Sequence, residues 1–286
     1  MRGIALIVAA VFTFSIMEAM VKWLARSYPV PLIVWARYFT QALLMVALLG
    51  PRVGARLVRT RRPGLQAIRG VMLGLSSMLF FSSLVWLPLA DASAIAAVTP
   101  ILVTVLAIRF LGERAPRGTW WALAISFVGV LFVVRPGSAV FQWAALLPLA
   151  NAFSYAGYQL ATRRLAGVDD GVSTLFIGTV VAAAVTSVVV PFLWHPPQSA
   201  ADALMFVAIG AFGGVGHMLL VRAYEQASAT LLAPFAYVHI VFALALGMVV
   251  FGNFPDSIAL AGMALIAVTG AWMAMRQRVP IGPVEE

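Results

Sequence analysis

Hydrophobic residues make up 63% of the 286 positions and charged residues only 10%, against roughly half and a quarter in an ordinary soluble domain. So few polar side chains cannot cover a water-facing globule, which excludes a soluble domain and places the chain in a bilayer. The formal charge is +9 and cysteine is absent; no disulfide framework or thiolate metal site is possible, and the arginines sit at the ends of apolar runs, where membrane topology rather than nucleic acid explains them.

Only helices and closed barrels satisfy their backbone in lipid. The apolar runs here are continuous and of helical crossing length, about 20 residues, so the expected fold is an all-α integral membrane protein. In chain order ten spans are read near 3–24, 32–50, 66–86, 91–109, 118–135, 141–162, 171–194, 202–222, 228–251 and 257–276. The first resembles a secretory signal in its M-R-G start, but Glu18 and Lys22 near its end mark it as a retained helix. Of the 19 lysines and arginines, all but Lys22, Arg26, Arg37 and Arg135 fall on one side of the resulting topology. By the positive-inside rule that side is the cytoplasm, with both termini in it.

The chain repeats itself. A shift of 141 residues lays Val11 to Phe14 on Ala152 to Tyr155, Glu18 on Gln159 and Lys22 on Arg163. A shift of 140 lays Gly70 and Gly74 on Gly210 and Gly214, and one of 134 lays Pro100 on Pro234. Five spans per half is an odd number, so the second copy enters the membrane from the opposite side. The expected units are residues 1–137 and 138–278, each a five-helix repeat, with 279–286 as a short cytoplasmic tail.

Ionisable groups inside spans are costly and hence functional candidates. Glu18 and Arg37 lie equally deep, ~10 Å from the outer ends of the first two helices, and as antiparallel neighbours they are read as a pair. Lys22, four residues after Glu18, is a second possible partner. Two roles stay open for these three: an ion pair tying helices together, or the handling of substrate or protons. On the sixth span Asn151, Tyr155, Tyr158 and Gln159 have i, i+4, i+7, i+8 spacing, a polar face expected to line a cavity. Ser77, with Met78 beside it, is the repeat counterpart of His217, and His239 follows Tyr237 near mid-membrane in the ninth span; these five join the expected substrate site. Pro100 and Pro234 interrupt corresponding helices and are expected hinges. The two G-x-x-x-G pairs, Gly70 with Gly74 and Gly210 with Gly214, are read as close helix contacts.

A first helix ending in lysine, then R-Y-F-x-x-A (Arg37 to Ala42), A-S-A to T-P (Ala92 to Pro100) and F-L-G-E-R to G-V-L (Phe110 to Leu131) resembles the EamA-type branch of the drug/metabolite transporter superfamily. The resemblance covers nearly the whole chain. It implies ten helices in two inverted five-helix halves around a central cavity, and export of amino acids, drugs or other small metabolites. One departure is Asn253, where the first half has Glu113; a weakened turn contact is expected there.

No nucleotide-binding G-x-x-x-x-G-K-[ST] loop, metal-ligand spacing or activated nucleophile is present, so neither catalysis nor a cofactor or metal is expected. The expected function is export of small metabolites, amino acids first, across a bacterial inner membrane by alternating access. A proton-coupled drug efflux carrier is the alternative, and a structural or assembly protein without flux is the alternative of another class.

Overall fold

In the computed structural model, residues 2–115, 118–134, 143–252 and 256–276 are described, and every regular element among them is helical. The helices are α1 (Arg2–Leu24), α2 (Val30–Val53), α3 (Pro63–Trp86), α4 (Leu89–Ala96), α5 (Thr99–Leu111), α6 (Thr119–Val134), α7 (Leu146–Leu165), α8 (Gly171–Ser187), α9 (Ala200–Gln226), α10 (Ala229–Ala236), α11 (Val238–Phe251) and α12 (Ser257–Arg276). Taken as continuous segments, α4 with α5 and α10 with α11 each form one span, which gives ten crossings. Six segments are long and apolar enough to cross a membrane by length and composition alone; α6, α8 and α12 contribute shorter apolar stretches. The remaining crossing, α7, is lowered in hydropathy by its polar face.

Two expected spans are therefore broken. Pro100 has no N–H to give the carbonyl of Ala96; the chain turns at Ala97 and Val98, and Thr99 Oγ1 donates to that freed carbonyl at 2.7 Å. In the second half Pro234 lies inside α10 and the break follows it, at Tyr237. The seventh span ends at Ser187 rather than near 194, because Pro191 directs the chain into a short 3-10 turn at Val190–Phe192. Both α5 and α11 stop at a glycine in the left-handed region, Gly112 at φ 67° and Gly252 at φ 69°. A residue with a Cβ is strained in that conformation, so glycine is the usual terminator.

The two halves interlock. In the first half α1 packs chiefly on α9, and in the second α7 packs chiefly on α3; α2 lies on α9 as α8 lies on α3. The α6–α12 and α2–α8 pairs are each made of equivalent helices. This exchange of partners is what a pseudo-two-fold axis in the membrane plane produces. Outside the bundle, Leu43, Leu48, Phe153, Val249 and Val268 are exposed. Only lipid tails solvate such a surface without cost. At one end of the bundle Asp169 accepts from Thr60 Oγ1, Arg61 N and Gln66 Nε2. Burial pushes its carboxyl up, but these hydrogen bonds outweigh burial and hold it below the usual carboxylate range.

The glycine pairs set the closest approaches. A Cβ on Gly70 would come 2.5 Å from Val181 Cβ on α8, whereas one on Gly74 would meet Ala182 at an ordinary 3.5 Å. Gly70→Ala is therefore expected to destabilise by about 1–3 kcal/mol through overpacking, with Gly74→Ala near neutral. Thermal unfolding of the two purified variants in one detergent checks this; equal midpoints would mean that α3 and α8 separate freely.

Candidate functional site

A cavity of about 120 Å³ lies inside the bundle, walled by residues of α1, α2, α3, α4, α5, α7, α9, α10 and α11 and by the break at Tyr237. Its polar groups fall into three clusters. The first centres on Arg37 of α2, which is 2% exposed. Its Nη1 donates to Ser77 Oγ at 2.6 Å and Tyr38 OH at 2.9 Å, and its Nη2 bonds His217 Nε2 at 2.7 Å. A guanidinium only donates, so Nε2 of His217 is the acceptor and Nδ1 carries the proton toward Tyr158 OH, 2.9 Å away. That hydroxyl also accepts from Arg69 Nη2 at 3.0 Å. Arg69 is fully buried and gives its other donors to Thr162 Oγ1 and the Thr174 carbonyl. One chain of hydrogen bonds thus joins α2, α9, α7, α3 and α8.

The second cluster is Glu18 of α1 with His239 of α11, Oε2 to Nε2 at 2.9 Å. The third is the face of α7. Asn151 accepts from Ser76 Oγ at 2.7 Å, Gln159 accepts from Tyr224 OH, and Tyr155 stacks on Tyr158 with centroids 5.5 Å apart. Apolar and aromatic side chains, among them Phe14, Met17, Phe80 and Phe81, fill the wall between these groups.

Most of the residues singled out in the sequence meet in this cavity: Glu18, Arg37, Ser77, Pro100, Asn151, Tyr155, Gln159, His217, Tyr237 and His239 all line it. Four do not. Tyr158 stands behind the wall, its hydroxyl taken by His217 and Arg69. Met78 is partly buried and packs against the core, about 100° round α3 from Ser77. Pro234 is buried, with its neighbours Ala233 and Ala236 facing the cavity instead. Lys22 reaches away from Glu18, donating to the carbonyls of Leu84 and Leu87 at 2.9 and 2.8 Å. The expected Glu18–Arg37 pair is not formed either, because α1 packs on α9 and α11 and turns Glu18 toward His239.

Spacing and depth do not single out Arg69, which reads as one of the charges at the span ends although it lies inside the third span, nor Ser93 and Tyr224. Arg69 carried a signal: it immediately precedes Gly70 of the close-contact pair. Glu113, expected only to support a turn, does more. It accepts from Arg163 Nε at 2.8 Å and from the N–H groups of Ala229 and Thr230 at 3.3 and 3.1 Å, joining the end of α5 to α7 and to the start of α10. Arg163 Nη1 also donates to the Tyr224 carbonyl at 2.7 Å. Lys22 and Leu84 are the repeat counterparts of Arg163 and Tyr224, so the same long cation to helix-end carbonyl contact recurs in both halves. Asn253, the counterpart of Glu113, lies outside the described residues, as do Arg117, Arg135 and Arg278.

An all-helical, membrane-length bundle with two interlocked inverted halves around an internal polar cavity defines a multi-pass membrane transporter. The pattern of the EamA-like transporter family matches residues 1–135 and again 142–276, and the chain belongs to that family. A pseudopaline exporter of Pseudomonas aeruginosa is 34% identical over 270 residues, covering 93% of each chain. An S-adenosylmethionine uptake transporter of Rickettsia prowazekii is 24% identical over 93% of this chain and 90% of its own, and a riboflavin transporter of Rhizobium johnstonii is 26% identical over 92% and 88%. A crystal structure of a protein with 20% identity superposes with a TM-score of 0.78, covering 97% of this chain and 99% of that one, and shows the same fold. The family and these relatives are transporters, not enzymes.

The Glu113–Arg163 contact gives an accessibility prediction. The chain has no native cysteine, so a single cysteine at Val103 on the cavity wall can report access to an impermeant thiol reagent. Glu113→Gln is expected to raise its labelling rate several-fold from the side on which α5 ends. An unchanged rate would show that this contact does not close that end.

Proposed function

We propose that this protein exports small organic metabolites, with amino acids as the best-fitting class, across a bacterial inner membrane by alternating access, both termini being cytoplasmic. The observation that carries the reading is one internal cavity to which both halves contribute equivalent helices, with matching contacts at its two ends. In this cycle residues 1–137 and 138–278 rock about the cavity, and the breaks beside Pro100 and Pro234 absorb the movement. Support for a small-metabolite cargo comes from the relatives, whose names specify an exporter of pseudopaline and carriers of S-adenosylmethionine and riboflavin. An amino acid suits walls that combine the amides Asn151 and Gln159, the hydroxyl of Tyr155, and the apolar surfaces of Phe14, Met17 and Phe80.

Counterflow in proteoliposomes preloaded with a mixed amino-acid pool tests this. Saturable entry of a labelled neutral or aromatic amino acid is expected, falling at least tenfold for Asn151→Ala or Tyr155→Ala, a loss of about 1.4 kcal/mol at the site. Absence of exchange for every amino acid, in folded protein, would overturn the substrate class and bring back the reading of a structural or assembly protein.

A second reading, proton-coupled efflux, is favoured by Glu18 and His239 meeting inside the cavity at 2.9 Å. It predicts that Glu18→Gln abolishes any response of flux to an imposed pH gradient while leaving exchange intact. A variant that still responds would remove Glu18 as the coupling group.

A further inference from the structure

We infer that Arg37 anchors a carboxylate of the transported solute; the inference rests on the carrier reading for its place in a transport cycle. Arg37 lines the cavity beside Ser77, Phe81 and His217. Its guanidinium is permanently charged, yet its partners are two hydroxyls and an imidazole. Among the described residues no carboxylate lies within 4.0 Å of Arg37 or of Arg69. Glu18, which shares the cavity, is engaged by His239 instead. The hydrogen bonds of Arg37 are thus largely satisfied while its charge is not, and an unneutralised charge inside a membrane protein is strongly unfavourable.

The group is also held for docking. Its Cζ lies 4.6 Å from the ring centroid of Tyr38 and 5.5 Å from that of Phe81. On α9, a Cβ at Gly213 would come 2.8 Å from Nε, so glycine there makes the room the fork occupies. Nε has no partner. Behind it, the relay through His217 and Tyr158 places Arg69 as a second cation, adding positive potential to this wall.

An independent observation points to a polar ligand. Ser93 and Tyr237 line the cavity on α4 and at the break before α11, each 1% exposed, and among the described residues neither hydroxyl has a hydrogen-bond partner. Buried polar atoms are normally paired. An unbalanced guanidinium and two unpaired hydroxyls around one cavity fit a solute that brings a carboxylate and further polar groups of its own.

The test compares two probes of one shape, 3-phenylpropionate and its uncharged amide 3-phenylpropionamide, at fixed ionic strength. Both are tried as stabilisers of the purified full-length protein against heat, which reports binding by mass action, and as competitors in the counterflow assay. The carboxylate is expected to act at concentrations at least tenfold lower than the amide. Arg37→Gln should bring that ratio close to one and Arg37→Lys should keep part of it. Should Arg37→Gln fail to fold, the wild-type ratio and Arg37→Lys still decide. Amino-acid exchange inhibited equally by both probes would overturn the anchor and leave the carrier reading standing. Carboxylate-selective stabilisation without amino-acid exchange would uphold the anchor and overturn the amino-acid class. Selectivity that survives in folded Arg37→Gln would overturn the anchor, and the absence of both exchange and selectivity would overturn both proposals.

Discussion

Two guanidinium groups in the interior of a membrane bundle, joined through an imidazole and a phenol, set the conditions for everything around them. Arg37 and Arg69 cannot shed their protons, and lipid offers them no water. The bundle supplies hydroxyls, a carbonyl and a neutral histidine drawn from five helices of both halves. Those acceptors arrive only because α2 lies against α9 and α3 against α8 at glycine-lined contacts. Gly213 leaves space for the side chain of Arg37, and Gly178 does the same for Arg69. Close helix packing and polar satisfaction are therefore one requirement, met at the same residues.

This arrangement also explains the departure from strict internal symmetry. Under the 141-residue shift Arg37 falls on Gly178, so the second half has no arginine at the equivalent place. Arg69 enters that space from α3 of the first half. Both cations consequently come from one repeat, while His217 and Tyr158 come from the other. Neither half has a complete polar core by itself, and the interlocked packing of α1 on α9 and α7 on α3 follows the same division.

The spans, the duplication and most of the cavity's polar residues were legible in the sequence because they depend on periodicity and depth. Asn151, Tyr155 and Gln159 share a helix face, and a helix face is a property of spacing alone. Partners were not legible. Glu18 and Arg37 lie at similar depth, but depth does not fix the direction in which a helix faces, and in an inverted repeat the neighbours in sequence are seldom the neighbours in space. Glu18 accordingly meets His239, 221 residues away. Lys22 finds helix-end carbonyls because α3 finishes beside it. Each proline lies beside a helix break, but the sequence does not say on which side the chain turns: before Pro100, where Thr99 replaces the lost bond, and after Pro234.

The contacts at the two ends of the bundle are related by the repeat but draw their carboxylates from different places: Lys22 interacts with Asp91, near the start of α4. Arg163 has Glu113 beside it, and the residue that follows the repeat from Glu113 is the neutral Asn253. In the proposed alternating-access cycle, ends of identical strength would give equal time open to each side, and any difference between them would shift the two dwell times by a factor of ten for every ~1.4 kcal/mol. Such a bias lowers the apparent affinity on the side that is less often open, since binding there must wait for the rarer state. It would change how the protein samples each compartment. It does not by itself drive net accumulation, because the return step carries the same bias in reverse.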